Sequence, residues 1–111
     1  MILQQILDAF KNKDAKAFLD LMHDEVIFVD DFSMENKEDS SISIKEWFDA
    51  GAIDVNNWDF LVQQELPDIV TLQYLRAPIF DEQGEIIRVT YALLLKDKKI
   101  WRHLVTRTRM K

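Results

Sequence analysis

The chain has 111 residues, 48% of them hydrophobic and 31% charged, enough to bury one core beneath a wet surface. Cysteine is absent and only 2 Gly and 2 Pro occur, which excludes a disulfide framework, a Cys-ligated zinc site and the glycine-rich loops that cradle phosphates. The net charge of -6 is unevenly spread, with 7 Lys/Arg against 19 Asp/Glu in residues 1–95 and 7 Lys/Arg against one acid in residues 96–111. The acidic body repels phosphate backbones, so no nucleic-acid partner is expected, and the basic end reads as a strand that pairs with acidic neighbours. No apolar run approaches the ~18 residues that span a membrane. No basic region precedes the first apolar residues, so no secretory signal is expected and the cytoplasm is the expected address.

Ile2, Leu3, Ile6, Leu7 and Phe10 recur at helical spacing, and Asn12-Lys13-Asp14 breaks the pattern. Asp14 is placed to cap a second helix with Ala15, Phe18, Leu19 and Met22 on its apolar face. Val26 to Val29 reads as a short strand ended by Asp30-Asp31, and residues 33–41 as an exposed polar loop. Ser43 is the expected cap of a third helix, with Trp47 and Phe48 inward and Gly51 at its end. From residue 58 the period changes to 2. Strands are expected over 58–65, 69–80, 85–95 and 100–109, with Pro78 marking an edge or bulge and residues 81–84 and 96–99 forming turns. Helices followed by consecutive hairpins predict one α+β domain: three N-terminal helices on one face of an antiparallel sheet.

Side-chain alternation then assigns the inner face. Ile87, Val89, Tyr91, Leu93 and Leu95 form one set; Val70, Leu72, Tyr74 and Phe80 form its match, and Arg76 shares their parity. An inward Arg needs a partner or a ligand. The last strand stays open: a two-residue turn brings Ile100, Arg102 and Leu104 inward, a three-residue turn Trp101, His103 and Val105. The outer face mixes Ile69, Leu75, Ile79, Ile86 and Leu94 with polar residues, and a homodimer through it is expected.

The segment ILDAFKNKDAKAFLDLMHDEVIFVD (6–30) and the ending GEIIRVTYALLLKDKKIWRHLVTR (84–107) resemble the nuclear transport factor 2-like superfamily, in particular its ketosteroid-isomerase-like and SnoaL-like branches. The resemblance implies a strongly bent sheet, a cone-shaped, cystatin-like roll, and a small apolar or carbonyl-bearing ligand handled without a cofactor. It implies a general base at Asp30 and turns His103 and Val105 toward the pocket. The position that carries a hydrogen-bond donor on the first helix in ketosteroid isomerases falls near Ile6, which cannot donate, and residues 86–95 hold no acid to serve as a second donor.

Asp30 is therefore the expected proton acceptor, because burial in an apolar cone disfavours a carboxylate's charge. The competing role is a strand-end cap on the following loop. His103 is the second proton-handling candidate. Arg76 and Tyr91 are polar anchors, and Trp47, Tyr74 and Trp101 are ligand walls, with core packing the competing role for each tryptophan. The acids at 30, 31, 35, 38 and 39 lack the glycine of a calcium loop, so no metal is expected. Two readings follow: a ligand-binding cone capable of isomerase, dehydratase or cyclase chemistry, or a non-catalytic dimeric module whose cone is filled.

Overall fold

A computed structural model describes residues 1–31, 33–79 and 82–110. Its elements are α1 (Ile2–Lys11), α2 (Ala15–Leu19), β1 (Met22–Val29), β2 (Met34–Glu35), α3 (Lys37–Asp49), a single 3-10 turn (Val55–Asn57), β3 (Asp59–Glu65), β4 (Ile69–Arg76), β5 (Ile86–Lys96) and β6 (Lys99–Met110). The six strands form one curved, unclosed sheet in the order β2-β1-β6-β5-β4-β3. The three helices pack against it, as the α+β reading expected.

The helical hairpin forms where the sequence places it. α1 buries Ile6, Ala9 and Phe10, and the Asp14 side chain accepts the Ala17 N–H at 3.0 Å to cap α2. α2 stops at Leu19, however, and Met22 belongs to β1 rather than to the helix face expected for it. Met22 lies opposite Ile100 in β6, and Leu21 accepts the Ile100 N–H at 2.9 Å, so pairing across the sheet takes the backbone that a further helical turn would need. This β1·β6 pair is parallel, whereas the other pairs are antiparallel. The expectation of an all-antiparallel sheet is corrected accordingly.

Residues 33–41 are not the loop that their polarity suggests. Met34 and Glu35 pair with Val29 and Phe28, and the helix then starts at Lys37 instead of near Ile44. Asn36, not Ser43, is its cap, accepting the Asp39 N–H at 2.9 Å. The helix ends as expected, with Gly51 at φ +76°, a conformation that costs a glycine little.

Inner and outer faces of the hairpins follow the alternation. Val70, Leu72, Tyr74, Ile87, Val89 and Leu93 are buried. Strand β4 ends at Arg76, before Pro78; Phe80 and Asp81, assigned to the strand and its turn by the sequence, lie outside the described residues. The open question on β6 resolves into both alternatives. The turn has two residues, Asp97 and Lys98, each with positive φ as hairpin turns of this length require. The register then shifts between Leu94 and Leu95, making Trp101 an extra residue opposite no partner. Ile100 is inward before the bulge; His103 and Val105 are inward after it.

Candidate functional site

The concave face of the sheet and the helices enclose a cavity of ≈ 100 Å³. Aromatic side chains from every layer converge on it: Phe10 from α1, Phe18 from α2, Phe48 from α3, Tyr74 from β4 and Tyr91 from β5, with Trp58 just before β3. Phe10 is central. Its ring centroid lies 5.2 Å from Phe18, 6.2 Å from Phe48, 5.7 Å from Trp58 and 6.4 Å from Tyr91. Trp58 stacks on Tyr74 at 3.9 Å with an interplanar angle of 4°. These rings form the apolar wall of the cavity.

Polar groups punctuate this wall. The Tyr74 and Tyr91 hydroxyls meet at 3.4 Å, and burial raises the pKa of both, so they stay protonated and able to donate. His103 is buried, stacked on Phe28 at 4.5 Å and edge-on to Phe18 and Tyr91. Its Nδ1 has no hydrogen-bond partner among the described residues. Burial pushes its pKa down to about 4, with the Arg107 charge acting in the same direction and the His103 backbone and Asp30 opposing. The imidazole is therefore neutral at pH 7.

A pH prediction follows. Below pH 6.5 the unfolded chain takes up a proton that folded His103 refuses until about pH 4. Stability then falls as pH drops through that interval, by up to roughly 3 kcal/mol at one His. Imidazole NMR is expected to show His103 titrating near 4; a midpoint at 6 to 7 would show the ring to be solvated instead.

Asp30 lies at the end of β1 on the cavity rim. Its Oδ1 accepts the Ser33 backbone N–H at 2.8 Å and the Ser33 hydroxyl at 3.2 Å, and Ser33 O accepts the Asp30 N–H. Asp30 thus closes the loop after β1 while also lining the cavity. Arg76 reaches the same wall, but its guanidinium is occupied. Nη1 bonds Glu82 Oε1 at 2.6 Å and Nη2 bonds Oε2 at 3.0 Å, and Oε1 also accepts the Ile79 N–H.

The structure thus brings Asp30, Trp47, Tyr74, Arg76, Tyr91 and His103 to one cavity. It does not bring Trp101 there. The bulge turns that indole out, and Arg102 covers it with its guanidinium carbon 3.6 Å from the ring centroid, with Lys96 at 5.4 Å. Phe10, Phe18 and Phe48 join the wall although from sequence they are ordinary core residues, and Trp58, a wall or core residue from sequence, lines it too. Arg107 was concealed by the basic C-terminal run. The signal was its parity: His103, Val105 and Arg107 share one face of β6. Among the described residues no three His, Asp or Glu converge as metal ligands.

A helical hairpin, a short strand closing on Asp and a curved sheet around an apolar hollow define a nuclear transport factor 2-like fold. Solved structures agree. An NTF2-like protein of unknown function from Mesorhizobium loti superposes with a TM-score of 0.73 at 14% identity, covering 96% of this chain and 88% of that one. A Sinorhizobium meliloti protein named as a candidate polyketide cyclase gives 0.67 at 18% identity, covering 94% and 92%. An NTF2-like protein of unknown function from Cytophaga hutchinsonii gives 0.66 at 14% identity, covering 95% and 85%. At these identities the likeness is one of fold. The chain belongs to the SnoaL-like domain family, whose model matches residues 1–105. No curated protein matches it. No helix is long and apolar enough to cross a membrane among the described residues.

Proposed function

We propose that the cone binds a small single-ring molecule bearing a carbonyl or hydroxyl oxygen. The observation that carries this reading is His103 Nδ1, a buried polar atom with no hydrogen-bond partner among the described residues, on a residue that lines the cavity amid aromatic rings. A buried polar group left unpaired costs about 1–3 kcal/mol, which a ligand oxygen relieves. Size sets the class. An apolar cavity of ~150 Å³ accepts benzene, so ≈ 100 Å³ sets one ring as the upper size, with any substituent in the open mouth, and leaves no room for a fused ring system.

The same arrangement supports proton transfer as its chemistry. Asp30, on the rim, takes a proton from the carbon next to a bound carbonyl, and the C–H electron pair moves to give an enolate. A tyrosine hydroxyl donates to the enolate oxygen, and the Asp30 proton returns to carbon. Cyclohexanone and phenol are expected to bind in saturation-transfer NMR more tightly than cyclohexane. Deuterium exchange into cyclohexanone in D2O is expected to fall by about 10²–10⁴-fold in Asp30→Asn. Binding with equal exchange in both proteins would leave the binding module and end the catalytic role of Asp30. Failure of every ring compound to bind would overturn the reading as a whole and favour the filled cone.

A further inference from the structure

Arg107 distinguishes this cavity from a plain apolar hollow. It lines the cavity from β6, four residues beyond His103 on the same strand face. Four residues of strand place their Cα atoms about 13 Å apart, with His103 buried and Arg107 partly exposed and so nearer the solvent-open side. The Arg107 guanidinium lies over the Trp47 ring, 4.9 Å from its centroid. Among the described residues it forms no ion pair, in contrast to Arg76, whose charge Glu82 neutralises. The nearby carboxylates have other partners: Asp31 Oδ2 accepts the Arg107 backbone N–H at 2.9 Å, Asp30 Oδ1 holds Ser33, Glu35 Oε2 accepts the Ser43 hydroxyl at 3.1 Å, and Glu82, which the Arg107 charge also reaches, is paired with Arg76. The Arg107 charge also reaches inward, favouring the ionised forms of Tyr74 and Tyr91 and the neutral form of His103.

We propose that Arg107 and Trp47 form an anion subsite at the cavity mouth, so that the ligand is a ring-bearing carboxylate with its ring inward and its acid group outward. This deepens the ring-binding reading and rests on it. Orientation follows from solvation. A carboxylate among the phenyl rings would lose its water with only neutral donors to replace it, whereas at the mouth it meets a planar, half-exposed guanidinium that can bond it in parallel. Trp47 holds that guanidinium in place by stacking and supplies a flat surface beside the ligand's ring.

The test compares phenylacetate, its neutral isostere phenylacetamide and the cation phenethylamine by titration calorimetry, with wild type, Arg107→Gln and Arg107→Lys. Wild type is expected to bind phenylacetate about tenfold more tightly than phenylacetamide, a preference that added salt weakens. Arg107→Gln abolishes the preference and keeps the amide affinity. Arg107→Lys keeps part of it, because charge remains while the planar fork is lost. Thermal melts of the variants should match wild type, since the backbone N–H that bonds Asp31 is untouched. Equal affinity for acid and amide, or tighter binding of phenethylamine, overturns the anion subsite while the ring cavity stands. Failure of all three probes to bind overturns both.

Discussion

Replacing Phe10 by Ala is expected to lower the melting temperature by about 12–20 °C, the largest effect of any single substitution considered. Phe10 is only 2% exposed and touches the rings of Phe18 in α2, Phe48 in α3, Trp58 just before β3 and Tyr91 in β5. Truncating a buried Phe to Ala costs about 3–5 kcal/mol, in lost transfer energy and in the void left behind. In a domain near 100 residues each kcal/mol moves the midpoint by about 4 °C or more. The void opens onto the cavity that Phe10 lines, so it enlarges that cavity rather than sealing a separate empty space. Cyclohexanone at high concentration is therefore expected to raise the midpoint of Phe10→Ala more than that of wild type, by mass action on the folded state. A loss below about 4 °C would mean that the helices do not depend on this ring.

Replacing Glu82 by Gln is the second large effect, with an expected loss of about 3 kcal/mol, at the lower end for breaking a buried ion pair because Glu82 is partly exposed. The Arg76 side chain is 4% exposed and that of Glu82 20%. Burial alone would raise the Glu82 pKa, but the hydrogen bonds from Arg76 and Ile79 and the Arg76 and Arg107 charges outweigh it and hold the carboxyl below its ordinary range. The neutral amide leaves the Arg76 cation buried without a counter-charge. Replacing both partners, as in Arg76→Met with Glu82→Leu, is expected to recover most of the loss, because no orphaned charge remains. The wild-type pair also has a pH signature. Its contribution is complete above pH 4.5, the unshifted Glu value, and is lost as pH falls through the lower folded pKa. Chemical denaturation at pH 7 and at pH 3 measures it: the gap between wild type and Glu82→Gln should shrink in acid. A gap that is small at pH 7 would show the pair to be solvated.

The fold was legible where one face of an element is apolar and the other wet. The α1 stripe, the Asp14 cap and the alternation of β4 and β5 are local signals, and they set the buried faces as expected, although β4 ends at Arg76 rather than at residue 80. What escaped depends on contacts far apart in sequence. Met22 reads as helix until Ile100, 78 positions later, pairs with it. The inward positions of the first turns of α3 are filled by serines such as Ser40, 1% exposed with its hydroxyl bonded to Asn36 O, so no apolar period announced them, although Asn36 followed by Asp39 is a capping pattern. The bulge at Trp101 shifted parity within a single strand, which no alternation rule registers.

The site was less legible than the fold, for a related reason. Asp30, His103, Tyr74, Tyr91, Arg76 and Trp47 were singled out, and the structure gathers them around one cavity. Yet the sequence could not say that Glu82 occupies Arg76 while Arg107 stays without an ion pair among the described residues. That difference lies in Glu82 being held against Arg76 and the Ile79 N–H, not in residue type.

The central claim is that the hollow beneath the helices is a place for a ligand ring, with His103 facing that ring's oxygen. Mapping NMR shift changes of the aromatic and imidazole groups during a phenol titration tests it most directly. The account predicts saturable changes concentrated at Phe10, Tyr91 and His103, with the His103 Nδ1 signal moving as it gains a hydrogen-bond partner. Changes confined to the outer sheet face, or a His103 signal that stays still at saturating phenol, would contradict it.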